Sequence, residues 1–345
     1  MKWHGWVSEM INGCGINAWA VNSQIVHIVG DSPTGPFERV SVFAPPFAHE
    51  ANVVRDSQGK WVMLYSAYNS ITAKYSVDQK GYNVTSFADA VCTNCSQGAS
   101  LSPARSQGCP FQRGNPPNLR HPFVQMMAIA DSPYGPWEYQ EIHPLTTGWD
   151  WNTALTINSD GSAIALIRGG MVWHANDYAN NQTWHPVGVP MGQQSPQWEG
   201  IAVEDPYIWQ DANGIYHALA HAFSPFFGVH AFVHPKDVPA NFSDGRTIMK
   251  WTVSGSAYGN SVRFTDGGRY AFSRRERPHL IWSQENSDGI GIPPRPVALS
   301  NGVQYGGPAN VVGKDTVFTL VQLIAQTQNR TAASERSSRD ALSLD

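Results

Sequence analysis

Two acidic side chains, Glu204 and Asp205, precede Pro206 at the start of a stretch in which apolar runs alternate with turn residues. Asp211-Ala-Asn-Gly214 separates two of these runs, and Asp, Asn and Gly are the residues that a tight hairpin turn favours. The stretch therefore predicts strand, turn and strand, with two carboxylates where the first strand begins. Paired carboxylates can cleave a glycosidic bond, one as a protonated acid and the other as the group that activates water.

The same unit recurs along the chain as a polar start, an apolar strand, a turn rich in Asp and Gly, and a second strand. Its copies are predicted at residues 49–65, 152–168, 204–221 and 261–275. A second motif, Asp-Ser-Pro-x-Gly-Pro-aromatic, occurs at 31–37 and 131–137 and predicts a turn into an outer strand. Repeated units of four strands are typical of a β-propeller. The sequence therefore predicts an all-β fold, a five-bladed β-propeller whose first blade is incomplete at the N-terminus.

The propeller is predicted as a single domain over residues 1–325, followed by a polar C-terminal tail over 326–345. An insertion rich in Ser, Asn, Pro and Cys is expected at about residues 71–122, within blade two. Residues 3–10 are predicted to form the second strand of blade one, so its inner strand would precede Met1. The chain is thus expected to be truncated at its N-terminus.

The repeats predict which polar residues meet. In an antiparallel sheet, the start of one strand and the end of the next lie at the same edge, so inner-strand starts and second-strand ends should surround one mouth of the central funnel. The carboxylates predicted as catalytic are Glu204, Glu50 and Asp150. The residues predicted to bind substrate at this mouth are His49, Asn152, Arg168, Asp205, His221, Arg274, Arg277 and Trp151. Tryptophan faces suit sugar rings, and arginines suit carboxylate or sulfate groups on a substrate.

Each of these features has a simpler interpretation. Glu204 and Asp205 could be a turn pair bonded to backbone N–H groups. The cluster 274–277 could be a structural ion-pair network that includes Glu276. His217 and His221 share a strand face and could ligate a metal ion, although such histidines are more often core or rim residues, and no metal site is predicted.

Composition excludes several classes of function. Charged residues make up 14% of the chain, against about 25% in an average domain, while 13 Trp and 12 Tyr are present. The net charge of −4 and the lack of a basic cluster among aromatics argue against nucleic-acid binding. No apolar run approaches the length of a membrane span, so no membrane association is expected.

Two features suggest a secreted protein. Five Asn-x-Ser/Thr sequons are present, at Asn83, Asn94, Asn181, Asn241 and Asn329. Four cysteines, Cys14, Cys92, Cys95 and Cys109, form an even set compatible with two disulfides, although Cys92 and Cys95 also have the spacing of a zinc or redox motif. The first residues lack the apolar core of a signal peptide.

With these residues, the chain resembles the five-bladed β-propeller glycoside hydrolases, the clan of family 43 arabinanases and xylosidases and family 32 invertases. The resemblance lies in Glu204-Asp205-Pro206, the blade turns and the two Ser-Pro-x-Gly-Pro turns. It implies that Glu204 is the general acid, with Asp205 replacing a glycine of the family motif. The Asp that modulates the pKa of the acid in the family falls on Asn152, which leaves Asp150 as an out-of-register substitute.

The family's base Asp, from the inner strand of blade one, has no counterpart here, so the base would be Glu50 or Glu9, with His49 assisting. The resemblance implies a hydrolase that acts on a plant or algal polysaccharide, with inversion, as a secreted monomer. No cofactor is required, and a structural calcium ion on the axis is compatible with the family. The alternatives are a non-catalytic carbohydrate-binding propeller, a polysaccharide lyase acting on a uronate, and a purely structural propeller.

Overall fold

A computed structural model of the chain describes ten segments, which are residues 2–11, 23–45, 48–68, 123–142, 152–187, 203–223, 226–238, 249–283, 295–304 and 317–324. Several predictions lie outside these residues: the insertion at 71–122, the tail at 326–345, the four cysteines, and the site residues Asp150 and Trp151. Within the described segments, no helix is long and apolar enough to cross a membrane.

The described residues form antiparallel sheets arranged as a five-bladed β-propeller, which confirms the predicted fold class. The first blade contains β1 (Trp3–Met10), β2 (Ser23–Gly30) and β3 (Phe37–Ala44). The second contains β4 (Ala48–Arg55), β5 (Trp61–Tyr68), β6 (Phe123–Ala130) and β7 (Glu138–Glu141). The third contains β8 (Ala154–Ile157), β9 (Ala163–Ile167), β10 (Met171–Ala175) and β11 (His185–Pro186).

The fourth blade contains β12 (Val203–Gln210), β13 (Tyr216–Phe223), β14 (Phe226–Val233) and β15 (Thr252–Tyr258). A short hairpin of β16 (Ser261–Arg263) and β17 (Arg269–Ala271) follows it. The fifth blade contains β18 (Arg274–Trp282), β19 (Pro296–Gln304) and β20 (Val317–Leu323). Two short 3-10 helices are described, Arg168–Gly170 and Pro235–Asp237.

The fourth predicted copy of the repeat is wrong in one respect. Residues 261–275 do not supply the inner hairpin of blade five, because within the described segments β16 and β17 pair only with each other and β18 is the first strand of that blade. The short hairpin instead packs Val262 and Phe272 against Val303 of β19. Residues 274–277 therefore begin an inner strand rather than end a second strand. Because both positions lie at the same sheet edge, the cluster still reaches the predicted mouth.

The first blade matches the last three strands of the second blade. The segment from β2 to β3 repeats the segment from β6 to β7, including the Ser-Pro-x-Gly-Pro turn, in which Gly35 and Gly135 have φ values of +79° and +83°. Strand β1 therefore holds the position of a second strand, as predicted, and it packs beside β4. Among the described residues, no strand pairs with the inner edge of β1.

The predicted hairpin turns form as expected. Asp211 Oδ1 accepts backbone N–H bonds from Asn213 and Ile215, both at 2.9 Å. Gly214 has φ +76°, a conformation that glycine adopts without steric cost. Asp56 in blade two makes the equivalent two bonds. These turns fix the register of the inner and second strands. The register in turn determines which residues of the two strands lie at the other edge of the sheet, where the mouth is.

The core lies between the blades. Leu64 of blade two and Leu155 and Ile167 of blade three belong to one buried cluster, and Tyr207 and Leu280 join blade four to blade five in another. Burial of such apolar surface is the main source of stability in a protein of this kind. The packed interfaces hold the inner strands around one axis and so determine which side chains meet.

Candidate functional site

Four inner strands begin with the same unusual backbone conformation. Glu50, Asn152, Asp205 and Arg277 have φ values of 63°, 41°, 50° and 54°, in the left-handed region that non-glycine residues adopt rarely. The pairing of β4, β12 and β18 is interrupted at this point by a bulge. Bulges redirect a side chain away from the regular alternation of a strand. A left-handed residue therefore stands at the start of the inner strand in four blades, and in three of these blades a bulge accompanies it.

Arg277 links three blades through its guanidinium group. Its Nη2 atom lies 2.7 Å from Glu50 Oε1 in blade two, and its Nε atom lies 3.6 Å from Asp205 Oδ1 in blade four. The Glu50 and Asp205 side chains are each only 5% exposed, whereas Arg277 is 35% exposed. Burying a carboxylate is costly unless a cation accompanies it. Arg277 therefore supplies the charge that allows two acids to be buried at the mouth.

Glu204 lies beside two basic side chains of the described segments. Arg168, at the end of β9, places Nη1 2.6 Å from Glu204 Oε1, and His221 places Nε2 3.7 Å from Glu204 Oε2. The Glu204 side chain is 13% exposed. The guanidinium fixes one oxygen of the carboxylate and favours its ionised form. The structure thus brings Glu204, Arg168 and His221 together as the repeat predicted.

His221 is fully buried and faces three carboxylates. Its Nδ1 atom lies 3.2 Å from Asp205 Oδ2, and its Nε2 atom faces Glu204 and, at 3.9 Å, Glu276 Oε1. Burial by itself lowers the pKa of His221, but the hydrogen bond with Asp205 and the negative charges of Asp205, Glu276 and Glu204 together raise it above its ordinary value. The three carboxylates therefore favour the protonated form of His221.

Glu276 belongs to the mouth but is absent from the predicted catalytic and substrate-binding residues. Arg274 Nη1 lies 3.4 Å from Glu276 Oε1, and His221 contacts the same oxygen. The sequence carries a signal for this position, because Glu276-Arg277-Pro278 repeats the pattern of Glu204-Asp205-Pro206. The assignment of residues 274–277 to the end of a second strand concealed that equivalence.

Other predicted residues lie in a buried layer or away from the mouth. His49 is buried, with Nε2 3.5 Å from Glu50 Oε2, so it contacts the Glu50 carboxylate within the protein. Asn152 is also buried.

Glu9 bonds to Gln24 and, at 3.2 Å, to Arg39 on the outer strand of its own blade. Ser8, the neighbour of Glu9, accepts the Glu50 backbone N–H, and successive strand residues point to opposite faces. Glu9 therefore points away from Glu50.

Part of the basic cluster is structural. Arg275 is buried, packs over Tyr258 at 4.5 Å, and donates hydrogen bonds to Asn301 Oδ1 and Gln322 Oε1 at 2.9 Å each. Its neighbours Arg274 and Arg277 instead contact the acids of the mouth. Alternation along β18 places Arg275 on the face opposite Arg274, and the left-handed conformation and bulge at Arg277 redirect that side chain to the mouth.

Three residues of the mouth lie close enough together to be considered as ligands of a metal ion. Ligand atoms of Glu204, Asp205 and His221 lie within 4.8 Å of one another. Calcium takes six to eight oxygen ligands, whereas this group offers two carboxylates and one imidazole, and guanidinium groups already contact both acids. The donor set therefore does not suit a calcium ion. His217, the other histidine of this strand, contacts His230 and Asp211 instead.

The arrangement of the blades is similar to that of solved structures of GH43 proteins. The GH43 protein BlXynB from Bacillus licheniformis superposes with a TM-score of 0.52 at 11% identity, over 94% of this chain and 51% of that chain. A single-residue mutant of BlXynB gives a TM-score of 0.53 at 10% identity, with the same coverage of both chains. This chain thus spans about half the length of these two structures, and the likeness concerns the fold.

Comparisons of the sequence itself give no further relative. No protein-family model matches the chain, and no similar sequence is found among curated proteins. The resemblance noted from the turns and from Glu204-Asp205-Pro206 is therefore supported by the arrangement of the blades.

The surroundings of His221 lead to a prediction about pH. A raised pKa in the folded state stabilises the protein below the unfolded value of about 6.5, and this contribution is lost as the pH rises through the folded pKa. We expect the difference in unfolding free energy between the wild type and His221→Gln to shrink above pH 6.5, by at most ~1.4 kcal/mol per pH unit. Urea unfolding between about pH 6 and pH 9 measures it.

The comparison with the variant isolates His221 from other histidines. Burial lowers the pKa of His27, His230, His174 and His279 to about 4, so these groups destabilise both proteins equally as the pH falls below about 6.5. A difference in unfolding free energy between wild type and variant that stays constant from about pH 6 to pH 9 would contradict the raised pKa of His221.

Proposed function

We propose that this protein is a glycoside hydrolase and that Glu204 is its general acid. The observation that carries the proposal is the position of Glu204, which is the most exposed of the four mouth carboxylates among the described residues and lies where an inner strand begins. A general acid must reach the glycosidic oxygen, so accessibility decides among carboxylates that are otherwise similar. The family resemblance points to the same residue.

In this proposal the surrounding residues hold Glu204 and the sugar. Arg168 and His221 orient the carboxylate, and Glu204 takes up its proton when a sugar displaces the partly exposed Arg168 side chain. Arg277 keeps Glu50 ionised, as a general base requires. Glu50 is the partner carboxylate expected from the sequence, with Asp150 as the other candidate outside the described residues. With inversion, the two carboxyl groups stand ~6.5–9.5 Å apart.

The proposed substrate is a plant or algal polysaccharide or a fragment of one. The protein would act outside the cell as a monomer, without a cofactor and without nucleic-acid or membrane partners. The arginines of the mouth bear on the substrate class: Arg168, Arg274 and Arg277 each contact a carboxylate of the protein itself. They are therefore less suited to a uronate or sulfate than the sequence suggested, which disfavours the lyase alternative.

A non-catalytic carbohydrate-binding propeller is the second candidate, and one observation favours it. Within the described part of the mouth, each acid contacts a basic side chain: the four acids are Glu50, Glu204, Asp205 and Glu276, and the basic residues are Arg168, Arg274, Arg277 and His221. A site with balanced charge can bind sugar hydroxyls without any proton transfer.

Incubation of the wild-type protein with a panel of oligosaccharides tests the proposal. The panel contains arabino-, xylo- and galacto-oligosaccharides together with uronate-containing ones, and products are separated and their reducing ends counted. Hydrolysis of at least one member is the expected result. Ultraviolet-absorbing unsaturated products would indicate a lyase, and binding without any product would support the carbohydrate-binding alternative; either result contradicts the proposal.

A further inference from the structure

Glu204 and Glu276 converge on the same nitrogen atom. Glu204 Oε2 lies 3.7 Å and Glu276 Oε1 3.9 Å from His221 Nε2. Their side chains are 13% and 10% exposed, against 5% for Glu50 and Asp205. Of the four described acids at the mouth, these two therefore have the most exposed side chains.

The two glutamates occupy equivalent positions in neighbouring blades. Each stands directly before a left-handed residue and a proline at a bulged strand start, Glu204 in β12 and Glu276 in β18. Each also has its own arginine, at 2.6 Å for Glu204 and 3.4 Å for Glu276. Glu276 Oε1 is buried and makes no hydrogen bond to any residue in the described segments, although it lies near Arg274 and His221. Its bonding capacity is thus incompletely used by the protein.

We propose that Glu276 is the second catalytic carboxylate, acting as the general base opposite Glu204. This inference rests on the proposed hydrolase function and replaces Glu50 as its base. The two oxygens can be no further apart than the sum of their distances to His221 Nε2, an upper limit that allows the ~6.5–9.5 Å separation of the carboxyl pairs of inverting glycosidases. Glu50 is a poorer base, because Arg277 binds one of its oxygens, His49 lies behind the other, and its side chain is almost fully buried.

The proposed reaction is an inverting hydrolysis. Protonated Glu204 gives its proton to the glycosidic oxygen as the bond from that oxygen to the anomeric carbon breaks. A water molecule forms the new bond to the anomeric carbon and loses one proton to ionised Glu276. The products are two sugars, an ionised Glu204 and a protonated Glu276, so the atoms of one water molecule are accounted for.

His221 can restore the starting state. Its Nε2 atom lies within 4 Å of an oxygen of each glutamate, so it can give its proton to Glu204 and accept the proton held by Glu276. Asp205, which contacts Nδ1 at 3.2 Å, holds the ring in this orientation. His221 acts here as a positioning and proton-carrying residue, whereas Glu204 and Glu276 face the reacting atoms.

Leaving-group dependence tests the assignment. Glu276→Gln, Glu204→Gln and Glu50→Gln are compared on the oligosaccharide that the wild type cleaves and on a dinitrophenyl glycoside of the same sugar, whose leaving group needs no proton. Glu276→Gln should lose roughly 10²–10⁴-fold in kcat on both substrates. Glu204→Gln should lose a similar factor on the oligosaccharide only. Azide should restore turnover of the activated glycoside by Glu276→Ala, as a glycosyl azide of inverted configuration.

The possible outcomes separate this inference from the function beneath it. A wild type without hydrolytic activity overturns both. An active wild type whose Glu276→Gln variant keeps its activity, or in which the loss on both substrates follows Glu50→Gln instead, overturns the role of Glu276 alone. Circular dichroism checks folding, and if Glu276→Gln does not fold, Glu276→Asp should lower kcat on both substrates while sugar binding is retained. Unchanged kcat in that variant also contradicts the proposal.

Discussion

Glu204→Gln is expected to lower kcat on an oligosaccharide substrate by roughly 10²–10⁴-fold, the usual contribution of a general acid. Glutamine preserves the size of the side chain and can still contact Arg168 and His221, so the mouth should keep its shape. The variant lacks only the proton that the acid donates, so kcat should fall while the affinity for the substrate stays nearly unchanged. Steady-state kinetics combined with calorimetric binding measures both quantities on the same preparation.

Glu38→Gln is a matched control for this variant. Glu38 lies on the outer strand β3, where it is exposed, and the same change of charge should leave kcat within experimental error. Equal activity of Glu204→Gln and the control would remove Glu204 from the reaction. A loss that came with weaker folding or lost binding would assign it a structural role instead.

Arg277→Met is expected to lower the free energy of unfolding by roughly 2–4 kcal/mol. The substitution keeps an apolar chain but removes the cation that neutralises Glu50 and Asp205, and breaking a buried ion pair costs about 3–5 kcal/mol. We take a smaller value because Arg277 is one-third exposed and solvent compensates part of the loss. Urea unfolding at neutral pH measures the change.

Two further variants make this prediction specific. Arg39→Met breaks the exposed pair between Arg39 and Glu9 and should cost less than about 1 kcal/mol. Adding Glu50→Gln to Arg277→Met should recover part of the lost stability, because one of the two stranded charges is removed. A cost no greater than that of the control, with no recovery in the double variant, would contradict the central role of Arg277.

Most of the architecture could be predicted from the sequence because the repeats are marked by turn chemistry. Asp and Gly at the hairpin tips and the two Ser-Pro-x-Gly-Pro turns locate the strands, and alternation then determines which strand ends meet. The misplaced element was the hairpin at 261–271, whose Asp-Gly turn and short apolar strands look like those of an inner hairpin. In the described structure, β16 and β17 pair with each other rather than with β18, and Val262 and Phe272 pack against blade five.

The sequence could predict which residues form the candidate site, but not which of them are buried or which contacts they make between blades. The repeats predicted that one mouth contains Glu204, Asp205, Arg168 and His221, and the structure places these four side chains close together. The sequence could not show that His221 is buried or that Arg277 reaches across to Glu50, since these depend on bulges and on distances between blades. The equivalence of Glu276 with Glu204 was present in the sequence as a repeated Glu-x-Pro.

The crystal structure of Glu204→Gln with the oligosaccharide that the wild type cleaves tests the central claim most directly. The account predicts a glycosidic oxygen within hydrogen-bonding distance of the side chain at position 204, with the scissile sugar held in the funnel mouth beside Arg168 and Glu276. A sugar bound on another surface of the propeller, with position 204 contacting only Arg168 and His221 as before, would contradict it.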